Sequence, residues 1–199
     1  VAGPHPLLVG FHGYGENATI HFDALARTVA DRDWVLVSIQ ALSRFYTSGD
    51  REVVACWMTR EDRELVIDDN VSYVKKAVAA VRAHYDAGGP LVYAGFSQGV
   101  ATAYRAAAFA GPADGLLVLA GDVPPDVQPV ADRLPPTLIG RGTHDDWYTA
   151  EKERSDRAVL TAAGVFVETH VFDAAHAWTD EFAVAGGRFL DRVGQRFER

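Results

Sequence analysis

Short apolar runs alternate along this chain with longer stretches of helical periodicity. Residues 6–12 (PLLVGFH), 33–39 (DWVLVSI), 90–96 (PLVYAGF), 115–120 (GLLVLA), 136–142 (PTLIGRG) and 165–172 (VFVETHVF) are bounded by Gly, Pro or Asp. Most are apolar at consecutive positions, as strands buried on both faces are, so each is predicted as a strand. Helical patterns lie between them, near 20–31, 64–86, 98–110, 149–163 and 179–197. In the second, Leu65, Val66, Val71, Val74, Val78, Val81 and Tyr85 recur at three- and four-residue spacing, which predicts an amphipathic stripe facing a core. Strand and helix in alternation predict one doubly wound α/β domain over residues 1–199, with a mostly parallel sheet of at least six strands. In that architecture a functional site forms at the carboxyl ends of the strands.

Two stretches stand outside the alternation. Residues 40–63 carry Tyr46, Gly49, Cys56, Trp57 and Met58 among charges, and residues 121–136 hold Pro124, Pro125, Pro129, Pro135 and Pro136. Both are predicted as long loops, and loops of that length inside a compact domain tend to be functional, so both are candidate pocket walls.

Composition narrows the partners. Hydrophobic residues make up 48% of the 199 positions and charged residues 23%, which fits a folded globular chain. No apolar run approaches the roughly 18–20 residues that span a bilayer. Lys+Arg number 19 against 27 Asp+Glu, a net charge of −8 that repels nucleic acid and anionic membrane. The single cysteine, Cys56, excludes an internal disulfide and a Cys-rich zinc site. Lysine occurs only at Lys75, Lys76 and Lys152, every other basic residue being arginine, a bias expected of a GC-rich bacterial genome. With no signal-peptide pattern at Val1, a cytoplasmic setting is expected, together with some missing residues upstream.

The sharpest chemical signal is Gly95-Phe96-Ser97-Gln98-Gly99. G-x-S-x-G alone is a short pattern, but here it follows the predicted strand LVYAG and opens the predicted helix QGVATAYRAAAFA. That is the context of a nucleophile elbow, in which the serine is thrust out at a strand's end. A serine hydroxyl needs a base, and the base needs an orienting acid. His176, in the loop Phe172-Asp173-Ala174-Ala175-His176 after the last strand, is the candidate base; His170 alternates within a strand and reads as a surface or core histidine. For the acid, Asp145 and Asp146 both follow the strand TLIG, and Asp122 follows GLLVLAG. His144-Asp145-Asp146 could suggest a metal, but three consecutive residues do not readily face one ion, so no metal is assigned. In Phe11-His12-Gly13-Tyr14-Gly15, glycines keep the loop after the first strand slim, and the Tyr14 and Gln98 amides are the candidate oxyanion hole. His12 reads as structural. A dinucleotide-binding turn is a weaker reading of this loop, because Ala18 stands where the third glycine would fall.

FHGYGENA, GFSQG, RGTHDD and FDAAHAW, taken in order over residues 11–178, resemble the phospholipase/carboxylesterase family of α/β-hydrolases. The order Ser97, Asp145, His176 is that of such hydrolases. The family's H-G-x-x-D frame selects Asp145 over Asp146 and Asp122. Trp57 is similar to a family tryptophan in a W-[FY]-D motif, although this chain reads Trp57-Met58-Thr59, and Val100 replaces a glycine frequent after the elbow. The resemblance implies a serine esterase with no cofactor and no large lid, acting on small or short-to-medium acyl esters. An acyl thioesterase or lysophospholipase using the same residues is the alternative, and a silent ligand-binding module a remote one. The negative net charge favours neutral esters, and a homodimer is left open. Trp57 and Met58 are expected to line the acyl pocket, with Trp57 setting chain length and contributing little to stability.

Overall fold

The chain runs β1 (Leu7–Phe11), α1 (Ala18–Val29), β2 (Val35–Ile39), β3 (Ser43–Tyr46), β4 (Val53–Cys56), α2 (Arg63–His84), β5 (Leu91–Phe96) and α3 (Gln98–Arg105). It continues through β6 (Gly115–Leu119), β7 (Thr137–Gly142), α4 (Ala150–Ala162), β8 (Val167–Phe172) and α5 (Asp180–Phe197). This computed structural model describes residues 4–49 and 52–197; the expected upstream extension at Val1 lies outside them, as do Asp50 and Arg51 of the stretch 40–63. The six predicted strands form one sheet in the order β2-β1-β5-β6-β7-β8, and every pair is parallel. The central strands LLVGF, LVYAGF and GLLVL are buried at every position, which is why they read as continuous apolar runs. At the edge, β8 alternates exposed and covered positions instead.

Helices cover both faces. α1 packs with α5 on one side, while α2, α3 and α4 share the other. α1 begins where the Asn17 side chain accepts the Ile20 N–H at 3.0 Å, an N-cap that fixes the turn out of β1. Strand order reverses between β1 and β5, so the crevice at a topological switch point opens beside the residues that follow these two strands.

Three expectations need correction. The α2 stripe is shorter than its sequence suggests: Asn70, Val74 and Val78 are buried, but Leu65 and Tyr85 are 65% and 62% exposed. A helix of 22 residues spans about 33 Å, whereas a six-residue strand spans about 20 Å, so both helix ends overhang the core. The helix predicted over 98–110 is α-helical only to Arg105, after which Ala106–Ala110 widens into a π-type turn. The stretch 40–63 is not an irregular loop, because β3 and β4 pair antiparallel, Ser43 opposite Cys56 and Tyr46 opposite Val53. Within 121–136, Gln128–Arg133 forms a 3-10 segment.

One contact positions α3. A Cβ added at Gly99 would lie 2.0 Å from the Phe11 carbonyl oxygen and 2.6 Å from that of His12, so only glycine lets the helix start rest on the end of β1. Gly99→Ala is therefore expected to lower stability by about 3 kcal/mol or more, read as a drop in the urea midpoint. Gly194 sits in α5 with nothing within 4 Å of an added Cβ. Gly194→Ala should raise stability by about 0.5–1 kcal/mol through helix propensity alone. Equal effects at the two sites would show that the approach to β1 is not tight.

Candidate active site

Ser97 stands between β5 and α3 with φ +51° and ψ −118°, a conformation that non-glycine residues rarely hold. The turn is held on both sides, since Ser97 N–H donates to the Leu119 carbonyl at 2.9 Å and Val100 N–H to the Ser97 carbonyl at 3.0 Å. Its hydroxyl lies 2.8 Å from Nε2 of His176, and His176 Nδ1 lies 2.8 Å from Oδ2 of Asp145. The Asp145 side chain is fully buried, and its second oxygen accepts the Trp147 and Tyr148 N–H groups at 2.8 and 2.9 Å. With both oxygens occupied, the carboxylate is locked in one orientation. An ionised carboxylate only accepts, so His176 carries its proton on Nδ1 and presents the Nε2 lone pair to the serine.

The loops that bring Asp145 and His176 together are themselves tied. Thr143 N–H donates to the Phe172 carbonyl at 2.8 Å and His144 N–H to the Ala174 carbonyl at 2.9 Å. Gly142 permits this, since a Cβ there would fall 2.3 Å from the Ala174 oxygen. The His176 ring rests against Phe96, with centroids 5.1 Å apart. The other candidates are placed elsewhere. Asp122 pairs with Lys152 at 3.1 Å, and His144 with Asp173 at 2.9 Å. Asp146 points to the surface, and half-buried His170 lies 3.6 Å from Glu181.

The loop after β1 is built from polar contacts that the sequence only hints at. His12, fully buried, has Nδ1 2.7 Å from the Gly13 carbonyl and accepts the Ala41 N–H on Nε2 at 3.2 Å, the structural role expected of it. Burial lowers its pKa, keeping it neutral. Glu16 accepts the Gly13 N–H at 2.8 Å, and burial pushes its carboxyl up although that hydrogen bond and nearby His176 pull it down. β4 braces the same loop, because Gly15 N–H donates to Ala55 at 3.1 Å and Ala55 N–H to Glu16 at 2.8 Å. Neither the Tyr14 nor the Gln98 backbone N–H has a hydrogen-bond partner among the described residues, so both are free to donate.

A cleft of about 370 Å³ opens at Ser97 and His176. Both long stretches line it, 40–63 through Trp57 and Met58 and 121–136 through Gly121 to Pro125. Trp57 is more than a wall of this cleft. It is 2% exposed, packs edge-on against Phe11 at 5.5 Å, and donates its indole N–H to the His12 carbonyl at 2.9 Å. It is thus a core residue whose loss would disturb the loop after β1, contrary to the expected small effect on stability. Sequence reasoning also missed the Gln98 side chain. Its oxygen accepts the Trp57 N–H at 2.8 Å and its nitrogen donates to the Met58 carbonyl at 3.0 Å, gripping that segment as a neighbouring strand would.

No protein-family model and no curated protein matches the sequence. Solved structures do match. SOBER1 of Arabidopsis thaliana is 17% identical with a TM-score of 0.72, over 98% of this chain and all of that one (100%). The Bacillus cereus carboxylesterase is 19% identical with a TM-score of 0.74, over 96% and 90% of the two chains. Acyl-protein thioesterase 2 of Zea mays is 19% identical with a TM-score of 0.65, over 96% and 95%. The fold is that of the α/β hydrolases.

Behind the cleft wall, Tyr148 donates its hydroxyl to Asp156 at 2.9 Å. Burial raises the Asp156 carboxyl to about 6, more than the Tyr148 bond and Lys152 can offset. The folded state therefore favours neutral Asp156. That contribution is fully present below the ordinary value of 3.8 and is lost as pH rises through about 6. Asp156→Asn is neutral throughout. Its stability relative to the parent should improve by about 1–3 kcal/mol between pH 4 and pH 7, measured by urea unfolding at each pH. A difference independent of pH would show that Asp156 titrates alike folded and unfolded.

Proposed function

We propose that this chain is a serine hydrolase cleaving carboxylic esters of small or short-to-medium acyl groups through an acyl-enzyme on Ser97. The observation that carries this reading is the unbroken hydrogen-bonded line from Asp145 through His176 to Ser97, each link 2.8 Å. His176 Nε2 takes the hydroxyl proton as Ser97 Oγ attacks the acyl carbonyl. The free Tyr14 and Gln98 amides receive the oxyanion, and Asp145 stabilises the imidazolium without itself taking the proton. The imidazolium then protonates the leaving alkoxide, and the alcohol departs. Water adds to the acyl carbon, gives its proton to His176, and the acid leaves as that proton returns to Ser97 Oγ. Two of the structural neighbours, a carboxylesterase and an acyl-protein thioesterase, support the same chemistry. Likeness to a maize acyl-protein thioesterase supports thioesters as a second substrate class for this chain, since a thiolate can leave from the same intermediate.

A fluorophosphonate should label the protein once, and mass spectrometry should place the adduct on Ser97. Ser97→Ala should fold normally, lose labelling and lose about 10³-fold or more in kcat on 4-nitrophenyl acetate. Asp145→Asn should cost about 10³–10⁴ in kcat through the wrong imidazole tautomer. Asp122→Asn, which breaks only the Lys152 pair, should have a far smaller effect. Turnover by Ser97→Ala within tenfold of the parent would sink the assignment.

A further inference from the structure

The cleft beside Ser97 carries the opposite charge from the chain as a whole. Arg63, Arg105 and Lys152 line it, with Asp122 as the one carboxylate of the wall besides the buried Asp145 behind His176. Arg105 is 4% exposed and grips Asp126 through two hydrogen bonds of 2.7 Å, and Lys152 holds Asp122 at 3.1 Å. Arg63 differs. No carboxylate forms an ion pair with it among the described residues; Asp126, whose two oxygens Arg105 takes, feels its charge only at longer range. The backbone turns sharply to deliver it, for Asp62 just before it holds φ +48° without a side-chain cap on α2. The second cleft touching His176, of about 410 Å³, is lined instead by Glu16, Asp23, and an Arg27 already paired with Asp180 at 2.9 Å.

Building on the esterase reading, we propose that the preferred substrate is an ester bearing a carboxylate away from the scissile bond, bound in the Ser97 cleft by Arg63. The guanidinium matches a carboxylate with two parallel N–H donors, geometry that a lysine lacks. The charge count decides between anions. Arg105 and Lys152 are already neutralised, so one positive charge remains in the cleft, which suits a monoanion better than a dianionic phosphate. The net charge of −8 cannot draw an anion in from a distance. Selection must therefore come from this local contact, and the neutral esters favoured by net charge alone give way to anionic ones.

Two pairs of esters test this on the intact protein. 4-Nitrophenyl hemiglutarate against 4-nitrophenyl valerate places the carboxylate on the acyl side, and 4-acetoxybenzoate against phenyl acetate places it on the alcohol side. The parent should prefer the anionic ester in at least one pair by about tenfold in kcat/KM, mostly through KM. Arg63→Gln should lower that preference about tenfold, and Arg63→Glu should reverse it. Lys75→Gln, the same charge change on α2 outside the cleft, should leave the preference intact. Preference for the neutral ester in both pairs, or a preference untouched by Arg63→Gln, overturns the anion site while leaving ester hydrolysis standing. No turnover of any of the four, with no phosphonate adduct on Ser97, overturns the esterase reading and this inference with it.

Discussion

At Gly99 the first turn of α3 lies against the carbonyl oxygens of Phe11 and His12, with no room for a side chain between them. That contact seats the start of α3, just after Ser97, on the end of β1, whose following loop carries Tyr14. Because strand order reverses between these two strands, the crevice there is open to a substrate and floored by the sheet. Ser97 then has little freedom. Its left-handed backbone is held by bonds to Leu119 and Val100, and its hydroxyl meets His176 because the loops after β7 and β8 are joined at Thr143 and His144. These ties are made by backbone, while the side chains of His12, Glu16 and Gln98 brace the neighbouring segments.

Much of the fold is legible in the chain because the central strands are buried on both faces. LLVGF, LVYAGF and GLLVL have no other reading as uninterrupted apolar runs. Ser97, Asp145 and His176 are legible for a related reason, since each follows a strand at the same edge of the sheet. The hairpin of β3 and β4 is not. SRFY has no buried position, so its pattern carries almost no apolar alternation, and the hairpin braces the loop after β1 through Ala55 of β4. The Gln98 side chain escapes for another reason. A glutamine after the serine reads as the start of a helix, and its hold on Trp57 and Met58 joins segments 41 residues apart that no local spacing connects.

Charge shows the same limit of composition. The net value of −8 is a sum over a surface, whereas a substrate meets the few groups around Ser97. There, among the described residues, Arg105 and Lys152 are each paired with a carboxylate, whereas Arg63 shares only the field of Asp126. The second cleft beside His176 has acidic walls, so the two depressions that flank the imidazole differ in sign.

The sheet order also governs how the molecule is assembled. β1 lies one strand in from the edge of the sheet, and its inner partner, β5, is separated from it in sequence by α1, β2, the hairpin and the whole of α2. A chain emerging from the ribosome can pair β1 with β2 early, but that pair leaves the other flank of β1 an open apolar edge until β5 arrives. Non-local pairing of this kind slows folding and exposes strand edges meanwhile. The chemistry comes later still, because His176 follows Ser97 by 79 residues. The line from Asp145 through His176 to Ser97 is therefore incomplete until the last strand has docked.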